Sequence, residues 1–256
     1  MTIDVAAIEA ALKSAPDVAA FEPGELADLP EPVRRYLGAA IAPGTPVWRS
    51  ARLPMRGAIR LGTWWVPFRA HEVLDPRRGF VWAGRAAGGL ISGSDHLIDG
   101  SGALSWKLLG IIPVARDEGP DVARSGAGRA GGEATWLPTT LLPRHGVTWR
   151  AVDDHHLEVD TTCDGVDVVL RLAIDDEGAL RWARFDRWGD PDQTGTPGWH
   201  PFGLDVTDTA TFRGLTIPAA GVAGWHHGTD RWDAGQFFRY RITDVEPLVG
   251  NGPDPG

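Results

Sequence analysis

Histidine and aspartate side chains are concentrated in one segment of the chain, residues 199–232. The segment contains His200, His226, His227 and Asp230, between a run of alternating residues and a glycine-containing turn. An imidazole paired with a carboxylate can act as a general acid or base near neutral pH. His227 with Asp230, and His200 beside them, are therefore candidate catalytic residues. The alternative is structural: Asp230 closes a turn and the imidazoles form ordinary hydrogen bonds, and the pattern favours this interpretation.

Metal and nucleophile chemistry have little basis in the sequence. His226 and His227 are adjacent, so in a strand they point to opposite faces, and no HxH, HxxxH or HExxH spacing exists. No GxSxG motif is present, and the lone Cys163 has no positive neighbour that would activate its thiol. The glycine-rich stretches match no nucleotide-binding pattern. We therefore expect no metal site and no cofactor.

A further candidate acid, Asp95, lies in another predicted strand. In the strand predicted at 64–74, Trp65, Arg69 and His71 share one face. If that face lines a cavity, its aromatic wall and cation would suit a small molecule with an anionic head group. A structural arginine that extends its stem over apolar surface is the other interpretation.

Tryptophan is the most unusual feature of the composition, with 12 Trp against 2 Tyr residues. Each Trp side chain buries a large area and requires a partner for its N–H group. Core packing accounts for part of the surplus, and the remainder indicates a pocket for a bulky apolar or aromatic molecule. The candidate ligand-binding residues lie on successive predicted strands and loops: Trp65, Arg69, His71, Trp82, Trp106, Trp199 and Trp225.

Period-two alternation with recurring turn residues predicts a mainly β chain. About ten to twelve short strands are expected, and so many antiparallel strands must curl or close. The predicted architecture is a single strongly curved antiparallel sheet, a half-barrel or barrel, covered by N-terminal helices and a mid-chain helix at 121–133. Residues 215–225 are expected to be irregular. We predict one domain, with a helical lead-in over residues 1–44 and a β-rich region over residues 45–250.

The charge balance argues against nucleic acid as a partner, since 25 basic residues face 34 acidic ones and the formal net charge is −9. No run approaches the roughly 20 apolar residues that span a bilayer. The N-terminal residues lack the basic start of a signal peptide, so a cytoplasmic location is expected. A single cysteine permits no intrachain disulfide. The oligomeric state is left open.

Several motifs resemble those of a bacterial family of domains of unknown function. They are PVRRYL (32–37), WWVPFRA (64–70), GFVW (79–82), WLPTTLLP (136–143), GVTW (146–149), GLTIP (214–218) and GWHHGTDRW (224–232). This resemblance spans most of the chain and implies no established activity. The order of strands, an interrupting helix with a Trp-Leu-Pro segment and further strands is similar to that of the half-barrel lipoprotein carriers of the LolA type. That similarity implies a concave apolar face that holds acyl chains, although the export signal of those carriers is missing.

These observations predict that the chain binds a hydrophobic or aromatic small molecule or a lipid in a Trp-lined cavity. The alternative is a cofactor-independent isomerase, cyclase or hydrolase acting on such a molecule, with His227, His200, Asp95 and Asp230 as acid–base candidates. A second alternative is a structural or interaction module, which predicts no cavity. Histidines that line a closed pocket would favour the enzyme, and histidines outside it would favour simple binding.

Overall fold

The computed structural model describes residues 4–14 and 19–250. Residues 1–3 and 15–18 of the predicted lead-in lie outside the described residues. The described helices are Val5–Ala11 (α1), Glu31–Ala40 (α2), Pro120–Gly132 (α3) and Trp232–Gly235 (α4). Asp4 caps α1 by accepting a hydrogen bond of 3.1 Å from the Ala7 amide, and a proline stands in the first turn of α2. None of these helices has the length and apolar character needed to cross a bilayer.

The described strands form one antiparallel sheet. They are Ala51–Leu61 (β1), Trp64–Asp75 (β2), Gly79–Ala86 (β3), Ile91–Ile98 (β4), Ser101–Leu108 (β5), Ile112–Glu118 (β6), Thr148–Ala151 (β7), His156–Cys163 (β8), Val166–Ile174 (β9), Leu180–Gly189 (β10), Gly198–Phe212 (β11), Leu215–Trp225 (β12), Gln236–Ile242 (β13) and Glu246–Pro247 (β14). Their order is β6-β5-β4-β3-β2-β1-β13-β12-β11-β10-β9-β8-β7, with β14 beside β1.

The predicted mainly β fold with one antiparallel sheet is confirmed. The sheet has 14 strands, more than the number expected from the sequence. The excess comes from the two-residue β14 and from β12, where the sequence indicates irregular structure. The sheet is not closed, because β6 and β7 form its two edges, so the barrel alternative is wrong.

The sheet consists of two halves, β1 to β6 and β7 to β13, which we call its arms. Helix α3 connects them along the chain. Strands β1 to β6 lead from the centre to one edge, α3 crosses one face, and β7 to β13 lead from the other edge back to β1. The helix packs on both arms: Ala123 lies against Gly102 of β5, and Gly131 lies against Val168 of β9. We call the face that carries α3 the inner face and the opposite one the outer face. One helix therefore contacts strands of both arms.

The outer face carries a small core under α1. Leu12, in the C-terminal cap of α1, packs with Val73 of β2 and with Val81 of β3. Alternation along β2 sends Val73 and His71 outward, whereas Phe68 and Glu72 point inward. The main hydrophobic core lies on the inner face.

Residues 215–225 contradict the prediction of irregular structure. They form β12, which lies between β11 and β13 in the middle of the sheet. A register shift in the pairing with β11 accommodates Pro218. Gly221 is required because a Cβ atom there would lie 2.5 Å from the backbone oxygen of Asp205 on β11. Tertiary packing therefore overrides the low strand propensity of this segment.

The mid-chain helix predicted at 121–133 is observed as α3. Its glycines lower helix propensity, and packing explains two of them. A Cβ atom on Gly132 would lie 2.0 Å from Cε1 of Phe185, and one on Gly131 would lie 2.8 Å from Cγ2 of Val168. The glycines thus allow α3 to lie directly against β9 and β10.

Candidate ligand-binding cavity

A cavity lies between α3 and the inner face of the sheet. It contains about 690 Å³ of space that protein atoms do not fill, part of which is open to solvent. Six aromatic side chains line it: Trp82, Trp136, Phe185, Phe202, Phe237 and Phe238. Ile59, Leu204 and Ala223 add aliphatic surface. We call it the aromatic cavity, and its largely apolar lining with a few charged groups is typical of small-molecule sites.

The aromatic wall follows from alternation on neighbouring strands. The rings of Phe68 and Trp82 lie 5.5 Å apart, and Phe238 stacks on Phe68 at 5.1 Å. A register shift between β12 and β13 allows both Phe237 and Phe238 to face the cavity. Trp82 Nε1 donates a hydrogen bond of 3.3 Å to Sδ of Met55. Because its N–H group is satisfied inside the wall, Trp82 presents an apolar ring to the cavity.

Arg129 of α3 is the centre of a charged group at the cavity wall. It forms ion pairs with Glu72 at 3.2 Å, with Asp95 at 3.5 Å and with Glu133 at 2.8 Å. Glu133 lies one helical turn after Arg129, whereas Glu72 comes from β2 and is fully buried. Buried charges persist only when they are paired and hydrogen-bonded. The group therefore ties α3 to β2 and β4.

The Glu72 and Glu133 carboxyl groups lie within hydrogen-bonding reach of each other. Burial raises the pKa of Glu72 well above its ordinary value; Arg129 opposes this effect, and Glu133 adds to it. Oε2 of Glu133 is buried and receives no hydrogen bond from the described residues while both groups are ionised. Burial therefore favours the protonated form of Glu72 beside Glu133.

Asp95 of β4 combines charge-stabilising contacts with burial. Trp106 Nε1 donates a hydrogen bond of 2.6 Å to Oδ1, and Arg129 Nη1 lies 3.5 Å from Oδ2. Burial nevertheless raises the pKa of Asp95, because the loss of water outweighs the opposing effects of Arg129 and Trp106. A carboxyl group placed in this way can exchange a proton with a bound molecule.

Arg187 of β10 is the second cation at the cavity wall. Its Nε donates a hydrogen bond of 3.1 Å to Oγ of Ser125 on α3. Its guanidinium lies 4.8 Å from the ring centre of Phe202 and 5.3 Å from that of Trp225. Burial, together with repulsion from Arg129, lowers the pKa of Arg187 to about 10. The side chain therefore remains a cation at neutral pH.

A second cavity meets the aromatic cavity at these charges. It contains about 770 Å³ of unfilled space and shares Asp95, Arg129 and Arg187 with the first. Its lining is more polar and includes Asp117 and Ser125. We call it the polar cavity. The two cavities offer apolar space on one side of Arg187 and polar space on the other.

Four of the site residues predicted from the sequence lie at the aromatic cavity. Trp82 and Asp95 line it. Trp106 contacts Trp82 with ring centres 5.3 Å apart, and Trp225 contacts Phe202 at 5.1 Å. The structure thus brings these four together with the charges of α3.

Trp65, Arg69 and His71 lie on the outer face and do not line the cavity. Arg239 covers the ring of Trp65 at 4.0 Å, and His71 Nε2 lies 2.6 Å from Oε1 of Glu9. Along β2 these three residues alternate with Phe68, so they lie on the face opposite to the one that carries the cavity.

His227 pairs with Asp205 rather than with Asp230. His227 Nε2 lies 3.0 Å from Oδ1 of Asp205, and Trp232 Nε1 donates a hydrogen bond of 2.8 Å to Oδ2. Burial lowers the pKa of His227, although Asp205 opposes this effect. Asp230 is exposed. The catalytic pair predicted from the sequence is therefore not formed.

Trp199 and His200 also stand apart from the aromatic lining. Trp199 is 48% exposed and packs against Trp188. The ring of His200 lies 6.4 Å from those of Trp225 and His226. The segment 199–232 instead contributes other residues to the cavity: Phe202, Leu204 and Ala223.

Four charged residues of the site were not predicted from the sequence. Glu72 has the same phase in β2 as Phe68, so alternation predicts it on the inner face. Arg129 and Glu133 have the spacing of an ion pair in a helix. These signals do not reveal that the helix crosses the sheet, which is what brings both residues near Arg187.

Three solved structures share features of this fold. A LolA superfamily protein from Nitrosomonas europaea matches with a TM-score of 0.41 at 9% identity, covering 87% of this chain and 94% of its own. A domain described as an outer membrane lipoprotein-sorting protein, from Vibrio parahaemolyticus, matches with a TM-score of 0.39 at 10% identity, covering 80% and 88%. A DUF1329 family protein from Desulfovibrio piger matches with a TM-score of 0.28 at 12% identity, with the same coverage. Similarity at this level carries no information on function.

The family comparison is more specific. No curated protein matches the chain. The model of a family of unknown function, DUF6544, matches residues 19–237. This match confirms the resemblance to a domain family of unknown function that the motifs indicate. The chain therefore belongs to the DUF6544 family.

Proposed function

We propose that the chain binds a hydrophobic or aromatic small molecule, or a lipid, in the aromatic cavity. The observation that carries the proposal is the cavity itself: six aromatic rings surround unfilled space of about 690 Å³ between α3 and the inner face. Apolar walls favour an apolar ligand because binding removes both surfaces from water. We propose that the sheet forms a half-barrel around the ligand, and that α3 lies across this half-barrel.

The position of the histidines favours binding over catalysis. None of the described residues that line the aromatic cavity is a histidine. His227 is held against Asp205 and Trp232, outside that lining. One observation supports the enzyme alternative, namely that burial raises the pKa of Asp95 at the cavity wall. A purely structural module would have no need for such a cavity.

The first test uses decan-1-ol, an uncharged amphiphile, and follows Trp fluorescence during titration. Trp82 and Trp136 line the cavity, so binding changes their emission. Native mass spectrometry of the same samples gives the stoichiometry. We expect saturable binding of one molecule.

Ala223→Leu places three additional carbon atoms in the cavity and should weaken binding roughly tenfold, since a displaced methylene group contributes about 0.8 kcal/mol. Ala58→Leu is the matched control, because Ala58 pairs with Arg239 in the sheet and, by alternation with Ile59, lies on the outer face. Absence of saturable binding, or equal weakening by both variants, would overturn the proposal.

A further inference from the structure

The two arginines between the cavities differ in their partners. Arg129 is surrounded by three carboxyl groups, those of Glu72, Asp95 and Glu133. Arg187 takes part in no ion pair with the described residues, and its one hydrogen bond there is the one from Nε to Ser125. A cation inside a protein is normally paired, because its removal from water is costly. Glu133, Asp95 and Glu72 attract Arg187 only from beyond ion-pair distance, so its guanidinium has no direct anionic partner among the described residues.

The contacts of Arg187 fix the orientation of its guanidinium. Ser125 occupies Nε, while the rings of Phe202 and Trp225 lie next to the guanidinium carbon. Nη1 and Nη2 have no hydrogen-bond partner among the described residues, yet they are not among the fully enclosed polar atoms. Because Arg187 lines both cavities, these two nitrogens are accessible from the cavity space. The side chain thus offers two parallel N–H donors.

We propose that the ligand is an amphiphilic carboxylic acid whose carboxylate binds Nη1 and Nη2 of Arg187. This inference rests on the proposed function, since the apolar part of the same molecule occupies the aromatic cavity. The planar guanidinium matches the two oxygens of a carboxylate. Glu72, Asp95 and Glu133 stand around the neighbouring Arg129 and repel additional negative charge. A monoanion therefore fits better than a phosphate dianion.

The experiment compares decanoate with decan-1-ol at pH 7.5 by fluorescence titration and isothermal calorimetry. The two probes share an alkyl chain and differ in the charge of the head group. The native protein should bind decanoate about tenfold or more tightly, as expected for hydrogen bonds to a charged group. Arg187→Gln should remove this preference, so that the variant binds decanoate no more tightly than decan-1-ol.

Arg184→Gln is the matched control. Arg184 belongs to the same strand and lies over the ring of Trp182, three positions from Arg187 and hence on the opposite face. The variant should keep the full preference for decanoate. Arg187→Lys keeps the charge without the paired donors, so its preference should fall between those of the native protein and Arg187→Gln.

The outcomes separate the two proposals. Equal affinity of the native protein for both probes overturns the carboxylate inference and leaves the binding function standing. Binding of neither probe overturns both. An unchanged preference in Arg187→Gln places the carboxylate elsewhere and also overturns the inference. If near-ultraviolet circular dichroism shows that Arg187→Gln is unfolded, Ser125→Ala takes its place, and loss of the Nε hydrogen bond should then reduce the preference.

Discussion

At the scale of single residues, the ionisation of the buried Glu72 should make stability depend on pH. Its pKa is raised above the ordinary value of 4.5 by burial. The folded protein therefore holds a proton at Glu72 more tightly than the unfolded chain does. It follows that the free energy of unfolding decreases as the pH rises above about 4.5, until Glu72 ionises in the folded state.

Glu72→Gln reproduces the protonated form of Glu72. The amide oxygen can accept from Arg129, and the amide nitrogen can donate to the buried Oε2 of Glu133. We expect that the stability of the variant relative to the native protein increases between pH 5 and pH 8 (about three decades of proton concentration). Urea denaturation at several pH values measures this difference.

Glu158→Gln is the control for that prediction. Glu158 forms ion pairs with Arg150 and Arg171 that are partly exposed to solvent. Such pairs contribute little to stability, so the pH dependence should stay close to that of the native protein. A Glu72→Gln variant that loses the same stability at every pH would show that Glu72 is ionised throughout.

At the scale of elements, the fit of α3 against the sheet depends on its last glycine. Gly132→Ala would place a Cβ atom 2.0 Å from Phe185 Cε1 and should destabilise the fold by about 1–3 kcal/mol. In the same helix, a Cβ atom on Gly128 meets its nearest neighbour at 3.6 Å, which is ordinary contact. Gly128→Ala should therefore stabilise the fold by about 0.5–1 kcal/mol.

Urea denaturation of both α3 variants measures these changes, with far-ultraviolet circular dichroism to confirm that the helix content is kept. The opposite signs are the informative result. Destabilisation by both variants would mean that α3 approaches the sheet more closely along its whole length. Stabilisation by both would contradict the contact between Gly132 and Phe185.

The strands and helix α3 also show which parts of the fold could be predicted from the sequence. Alternation predicts most strands, because each has one face in a core. It fails at β12, which is buried on both sides and whose small residues are selected by the close approach of neighbouring strands. Alternation also separates the two faces of β2 but does not say which one carries the cavity. The position of α3 determines which face carries the cavity. The packing of a helix on strands that are distant in sequence is not visible in the local residue pattern. Trp82 and Asp95 could therefore be predicted, whereas the link between Arg129 and Arg187 could not.

At the scale of the whole molecule, the two arms meet where β1 pairs with β13. The first and last long strands of the sheet are thus neighbours, with Gly57 opposite Tyr240. Helix α3 joins the same two arms a second time on the inner face. Because α3 packs on strands of both arms, the arms should unfold together. Many contacts between residues distant in sequence also predict slow folding.

Gly57→Ala tests the seam between β1 and β13. A Cβ atom there would lie 1.8 Å from the backbone oxygen of Arg239, so the strands must separate, at a cost of about 2 kcal/mol or more. If the chain is one domain, circular dichroism and Trp fluorescence should show the same lowered midpoint. Gly38→Ala, on α2 with no atom within 4 Å of the added Cβ, should leave the midpoint unchanged or raise it. Two separate transitions in Gly57→Ala would instead mean that each arm folds by itself and that α3 belongs to only one of them.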